Sequence, residues 1–199
     1  MSQGDLYMYS VETRLFKDEY FAITTERLRL SVLRKSACRR VTDYIVRNAE
    51  FHQKFSQTRN HDYFTVPVQR DFLISDLAAF RKGSLVPFWI TMKGEDKIIG
   101  RVSFFNIAYG GMMSCATGYH LDKDYTGQGI ITEALRGAIG FMFDEFKMHR
   151  IEAFILPENE KSLNVVKRLG FTEEGKRAAY MHINGQYRDH VAFYVLNDS

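Results

Sequence analysis

Gly127 and Gly129 stand at alternate positions where an alternating run gives way to one of helical period, and this junction constrains the chain more than any other stretch. On its amino-terminal side Met113, Cys115, Thr117, Tyr119 and Leu121 alternate as in a strand. On the other side Ile131, Leu135, Ala138, Met142 and Phe146 recur at helical spacing. Between them lie Thr126, Gly127, Gln128 and Gly129. Glycines here remove the side chains that would keep a ligand off the backbone. The first N–H groups of a helix have no partner within it and sit at the positive end of its dipole, so a strand, tight turn and helix over 121–146 form a cradle for a phosphate or pyrophosphate.

The spacing excludes two common phosphate binders. A dinucleotide fingerprint needs a third glycine where Thr132 stands, and a P-loop needs a Gly-Lys-Ser/Thr tripeptide that the chain lacks. The segment instead resembles the pyrophosphate loop of the GNAT acyl-coenzyme A transferases, Gln/Arg-x-x-Gly-x-Gly/Ala, with Gly129 on the central glycine. Thr126 stands where that family often has Arg or Gln, and Ile131 where it has a small residue. A second match follows about thirty residues on, in PENEKSLNVVKRLGF (157–171). Pro157 ends a strand, Asn159 and Ser162 open a helix, and Leu169, Gly170 and Phe171 close it. Singly these are an ordinary strand-to-helix turn and a glycine cap with a hydrophobic contact; together and in this order they are far more specific.

The 199 residues suit one domain with a sizeable core. Hydrophobic residues at 45% and charged residues at 26% exclude a disordered or fibrous chain. A net charge of +3 lacks the weight of a dedicated nucleic-acid binder, so no sequence-specific nucleic-acid partner is expected. Cys38 and Cys115, far apart in sequence, make no disulfide framework and fit a reducing cytoplasm. The six histidines and two cysteines show no ligand spacing, so no metal is expected. No leader-like or membrane-spanning apolar run occurs, and the expectation is a soluble, cytoplasmic protein with no membrane partner.

Residues 1–24 show no clear period and are taken as an N-terminal extension. Residues 27–33 alternate as a first strand. Residues 36–51 read as a helix with Ser36 as its N-cap and Val41, Tyr44, Ile45 and Asn48 on one side; 60–67 read as loop, and 68–82 as a second helix ended by Gly83. Strands at 87–93 and 97–108 form a hairpin, and the central strand and helix follow. Residues 149–156 give a strand parallel to the central one because a helix intervenes. After the helix at 159–169, strands at 176–183 and 187–196 are joined through Asn184-Gly185, a dipeptide suited to a type I′ turn.

The expected class is mixed α/β: a mostly antiparallel sheet with a central splayed parallel pair and helices on both faces. This is the order of the GNAT fold, and the resemblance covers 25–197. Within it the chain looks most like the ribosomal-protein alanine N-acetyltransferases, through TTERLRL (24–30), Gly100, Gly118-Tyr119, the loop, His149-Arg150-Ile151, 159–171, Glu174-Gly175 and NGQYRDH (184–190).

The resemblance implies acetyl-CoA as cosubstrate and attack on its thioester by an amine. It assigns the cofactor cradle to Thr126 and the amides of Gly127, Gly129, Ile130, Ile131 and Thr132, with the backbone of Tyr119 and Leu121 pairing the pantetheine arm and Asn159 bonding its amides. Gly118 marks a bulge where the strands part. Val166 stands where many members carry a proton-donating Tyr, which leaves Ser162 as acid for the thiolate. Ala116 stands where relatives carry a basic Glu, which leaves His120, or water near it, as base. Lys161, Lys167 and Arg168 are candidates for the 3′-phosphate, and Tyr187, Arg188 and Asp189 for the border of the acceptor site.

The missing base bears on the substrate. An α-amine of pKa near 7.8 is neutral roughly once in seven at pH 7, a lysine amine near 10.4 about once in 2,500, a difference of about 3.5 kcal/mol. An enzyme without a strong base is matched to a protein or peptide N-terminus, as in a ribosomal protein. Two alternatives stand beside it: a small amine acceptor such as a polyamine, aminoglycoside or amino-acid derivative, and a catalytically idle coenzyme A-binding module. Oligomeric state is open between monomer and homodimer.

Overall fold

The computed structural model describes residues 8–197. Its sheet has nine strands: β1 Ser10–Val11, β2 Glu19–Thr24, β3 Leu28–Leu33, β4 Val86–Met92, β5 Gly100–Ala108, β6 Ser114–Leu121, β7 Arg150–Ile155, β8 Thr172–Ile183 and β9 Gln186–Leu196. They lie in the order β1-β2-β3-β4-β5-β6-β7-β9-β8. Each neighbouring pair is antiparallel except β6–β7. That pair is joined through a helix, the connection parallel strands require.

The helices are α1 Cys38–Arg47, α2 Ala49–Gln53, α3 Val66–Arg81, α4 Ile130–Asp144 and α5 Glu160–Arg168. Alternation along β4 shows how they are shared between the faces. Phe88 and Ile90 enter a large core with Ala134, Leu135 and Ala138 of α4 and Val165 and Val166 of α5. Trp89, between them, enters a second core with Val41 and Tyr44 of α1 and Leu73 of α3.

Within the stretch set apart above as an extension, Ser10–Val11 and Glu19–Thr24 belong to this sheet: β2 pairs with β3 along its length, and β1 with β2. Ala22 and Ile23 are fully buried, and the Phe21 ring lies 5.3 Å from that of Phe141 on α4. A strand apolar on both faces has no alternation to reveal it. Residues 1–7 of the proposed extension lie outside the described residues.

The helix expected over 36–51 is two helices. Ser36 falls in a 3-10 turn, Lys35–Ala37, and Asn48 separates α1 from α2. Asn48 is fully buried; its Nδ2 donates to the Tyr44 carbonyl, and its Oδ1 accepts from the backbone N–H of Lys123. A side chain bonded in this way competes with helix continuation. Within 60–67, His61–Phe64 form a 3-10 turn capped by Asn60, and α3 begins at Val66. β8 begins four residues early, at Thr172, with irregular pairing near Gly175. Asn184 and Gly185 have φ of 48° and 84°, the pair of positive values a type I′ turn requires.

Candidate active site

β6 and β7 pair only from Ser114 opposite Arg150 to Thr117 opposite Ala153. β6 then runs on to Leu121, still paired with β5 but no longer with β7. A cleft of about 470 Å³ opens along this unpaired stretch, between β6, the turn before α4 and the start of α5. Gly118 is not the bulge expected: it stays in register opposite Ser103, and the irregularity of β5–β6 lies between Phe105 and Ala108. The opening comes from the divergence of β7.

The glycine turn is anchored from behind. Asp122 is fully buried, accepts from Arg47 Nε at 2.7 Å and from the Asp124 amide at 3.1 Å. Burial would raise its carboxyl, but the bonds from Arg47, Asp124 and Asn48 hold it below its ordinary value. Gly127 and Gly129 then adopt φ of 79° and 74°, in the left-handed region that glycine tolerates. Gly129 is the N-cap of α4 and offers no side chain, so the first amides of that helix face the cleft unobstructed. Arg27 closes the back of the turn: its Nε bonds Glu133 Oε2 at 2.6 Å and its Nη1 the Gln128 carbonyl at 3.2 Å.

On the opposite wall Asn159 is the N-cap of α5, its Oδ1 accepting from the Ser162 amide at 3.2 Å. The cap takes one end of the carboxamide and leaves the Nδ2 donors. Ser162 is in the first turn and lines the cleft, and its side chain is hydrogen-bonded with Tyr119. Its carbonyl accepts from the Tyr119 hydroxyl at 3.1 Å. Burial raises the Tyr119 phenol, outweighing the hydrogen bond with the Ser162 side chain that lowers it, so it stays protonated. The far end of α5 closes with Gly170 at φ 80°, the Gly170 N–H bonding the Lys167 carbonyl and the Phe171 N–H the Val166 carbonyl, both bonds of a Schellman cap. Val166 is fully buried in the core and does not line the cleft.

His120 alternates with Tyr119 and turns to the other face, toward α1 and α2. Its Nδ1 is 2.6 Å from the Tyr44 hydroxyl, with the rings stacked at 5.5 Å and 19°. The His52 ring lies 5.0 Å away, and its Nε2 donates to the Leu121 carbonyl at 2.8 Å. Burial, then the neighbouring His52, Arg101 and Arg59, hold His120 well below its ordinary value, so the ring is neutral at pH 7.

The cleft thus brings together Tyr119, His120, Leu121, Thr126, Gly127, Gly129, Ile130, Ile131, Thr132, Asn159 and Ser162. Lys161 and Arg168 join them, whereas Lys167 does not. Tyr187, Arg188 and Asp189 do not line it; Arg188 pairs with Glu158 and Asp189 with Lys176. Sequence reasoning missed Phe51, His52, Phe55, Ser56, Tyr125, Asn164 and Val165. The first four come from α2 and the chain after it, where only the break at Asn48 swings the chain toward β6. Among the described residues no three His, Cys, Asp or Glu side chains gather as a metal site would require. No helix there is long and apolar enough to cross a membrane.

Comparison with known proteins agrees with this geometry. A family model described as an acetyltransferase (GNAT) domain matches residues 27–172. The chain is 38% identical over 150 residues to a probable N-acetyltransferase, YjcK, of Bacillus subtilis, covering 75% of this chain and 83% of that one. It is 33% identical over 171 residues to the [ribosomal protein uS5]-alanine N-acetyltransferase of Escherichia coli, covering 85% and 87%. The crystal structure of ribosomal-protein-S5-alanine acetyltransferase from Vibrio fischeri superposes with a TM-score of 0.85 at 31% identity, over 89% of this chain and 97% of that one.

Proposed function

This chain belongs to the GNAT acetyltransferase family, and from that premise we propose that it moves the acetyl group of acetyl-CoA to the N-terminal α-amine of a cytoplasmic protein, a ribosomal protein being the acceptor class. The observation that carries the reading is the parting of β6 from β7 after Thr117, which opens one cleft between the glycine turn and the head of α5. The exposed amides from Gly127 to Thr132 suit the pyrophosphate, and Lys161 and Arg168 add positive charge. The unpaired edge of β6 suits the amide-bearing arm of the cofactor; the Leu121 carbonyl is already bonded by His52, so its N–H and the Tyr119 backbone take that role. The Nδ2 of Asn159 supplies a further donor.

The amine attacks the thioester carbon, the carbon–sulfur bond breaks, and the thiolate takes a proton. Ser162 supplies it: its hydroxyl lines the cleft in the first turn of α5, where the helix dipole favours proton release. The proton lost by the product ammonium restores the serine. Ala116 lies opposite Glu152 in the β6–β7 ladder, but that carboxylate is engaged by Arg150 at 3.0 and 3.1 Å. With no free carboxylate there, the acceptor is one that arrives neutral, as an α-amine does far more often than a lysine. Burial pushes the Cys115 thiol up to about 12, so it offers no thiolate for an acyl-enzyme and transfer is direct. Among the described residues no Asp or Glu lines the cleft, which suits an anionic cosubstrate and gives a polyamine no counter-charge.

The test is thiol release from acetyl-CoA with peptides bearing free Ala, Ser or Met N-termini, the same peptides N-terminally blocked, spermidine and an aminoglycoside. Turnover with free but not blocked peptides is expected. Turnover with the small amines alone moves the acceptor to that class, and cofactor binding without turnover makes the protein an idle module.

A further inference from the structure

The Tyr44 hydroxyl is fully buried at the seam between α1 and β6. A phenol O–H there must donate to something, since a buried donor left unpaired forfeits its hydration without return. The acceptor the structure places in reach is His120 Nδ1, at 2.6 Å. Were Nδ1 itself protonated, it would donate to the phenol oxygen and leave the phenol hydrogen with no partner among the described residues. The arrangement that satisfies both groups has Tyr44 donating to an unprotonated Nδ1, which puts the ring's proton on Nε2.

We infer that His120 serves acetyl transfer as a hydrogen-bond donor, its Nε2–H presented to the cleft, and that Tyr44 is the positioning residue that selects this tautomer. The inference rests on the acetyl-transfer reading above and replaces the base role expected for His120 from the sequence. A neutral imidazole with its hydrogen on Nε2 has no lone pair left to take the amine's proton. It has one N–H, on a ring that lines the cleft and without a partner among the described residues, for an oxygen on which negative charge grows. The thioester carbonyl is such an oxygen.

The surroundings keep the ring in that state. The stacked phenol of Tyr44 and the indole of Trp89, at 6.4 Å, exclude water. Arg101 is the cross-strand neighbour of His120 on β5, and Arg59 and His52 add charge or ring contact from the α2 side. The acids nearby are committed elsewhere, Asp76 to Arg101 and Asp122 to Arg47. His52 is itself fixed, because a carbonyl can only accept and its Nε2 must donate to Leu121. Among the described residues no carboxylate is left to stabilise an imidazolium, and protonation at Nδ1 would break the Tyr44 bond.

The deciding experiment is long-range 1H–15N NMR on the full chain with 15N-labelled histidine, the His120 signals being assigned by their loss in His120→Gln. At pH 7 a protonated Nε2 and an unprotonated Nδ1 are expected, and Tyr44→Phe should shift the ring to a mixture of tautomers. A ring protonated at Nδ1, or an imidazolium, overturns the inference. Kinetics supply the second readout: His120→Gln, which keeps an N–H but cannot take up a proton, should retain kcat within about threefold, whereas His120→Ala should lose about tenfold or more, with the acetyl-CoA KM little changed in both. Equal damage in the two variants also overturns it. Because the NMR arm needs no acceptor, a wrong tautomer in an active enzyme defeats this inference alone, and the expected tautomer in a protein that turns over no amine defeats the reading on which it rests.

Discussion

Asn48, at the end of α1, accepts the backbone N–H of Lys123 at 3.0 Å and so joins residues 75 positions apart. With the neighbouring pair Arg47–Asp122 it ties the first helix to the segment that enters the glycine turn. Replacing Asn48 with Ala leaves that N–H buried without a partner, at a cost of about 1–3 kcal/mol. Thermal unfolding should show it as a loss of roughly 2–4 °C per kcal/mol, accompanied by a higher KM for acetyl-CoA. An unchanged melting temperature would show that the tie is dispensable.

Gly129 sits at φ 74°, and a Cβ built there would meet only Arg27 Nη2, at 3.6 Å. Space is therefore not the obstacle; the backbone angle is. Gly129→Ala should cost about 1–2 kcal/mol through left-handed strain and impair the phosphate cradle. The expected readout is at least a tenfold weaker acetyl-CoA affinity by calorimetry, a change of about 1.4 kcal/mol. Affinity equal to the parent's would place the pyrophosphate elsewhere.

Asn159 caps α5, and the proposed cofactor role of its Nδ2 can be separated from that cap. Ser at this position still caps α5 but has no carboxamide donor, so Asn159→Ser should keep the melting temperature while raising the KM for acetyl-CoA. Asn159→Ala should lose about 1 kcal/mol of stability as well. Identical behaviour of the two variants would mean that the cap is the whole of its role.

Ser162→Ala removes the proposed acid without disturbing the cap, which uses the backbone N–H of that residue. We expect kcat to fall by roughly 10²-fold with little change in the KM for acetyl-CoA. A variant that turns over at the parent rate would return the serine to a purely structural role.

Glu19, on β2, is buried against Arg29, which it meets at 2.6 and 2.8 Å. Burial raises its carboxyl, but the bonds from Arg29, Ser31 and the Phe16 amide outweigh it, and the net shift is below the ordinary 4.5. A carboxyl depressed on folding adds stability that is fully present above its unfolded value and is lost as pH falls through the folded one. Urea unfolding of the parent should therefore weaken below about pH 4.5, and Glu19→Gln, less stable at pH 7, should show a flatter dependence there. Parallel pH curves would mean that the Glu19–Arg29 pair contributes nothing to this dependence.

Much of the architecture could be read from local pattern. Alternation and helical period placed β6, α4, β7 and α5, and Asn184-Gly185 placed the last hairpin, because each feature is set by neighbours a few residues away. The misses share a cause in distant partners. Glu19–Thr24 has no period because both its faces are covered, and Asn48 ends a helix because its side chain bonds a residue on another element.

The same division runs through the site. Gly127, Gly129, Asn159 and Ser162 were legible because backbone angles and helix ends demand particular residue types at particular positions. That β7 leaves β6 after Thr117, that α2 contributes His52, and that Tyr44 rather than solvent holds His120 were decided by the packing of α1 and α2 on the sheet. Sequence alone determined a strand, glycine turn and helix and a capped second helix; the tertiary structure decided which groups share one cleft and which nitrogen of His120 accepts from Tyr44 in the inference above, because hydrogen-bond satisfaction in a buried seam depends on partners the chain order does not name.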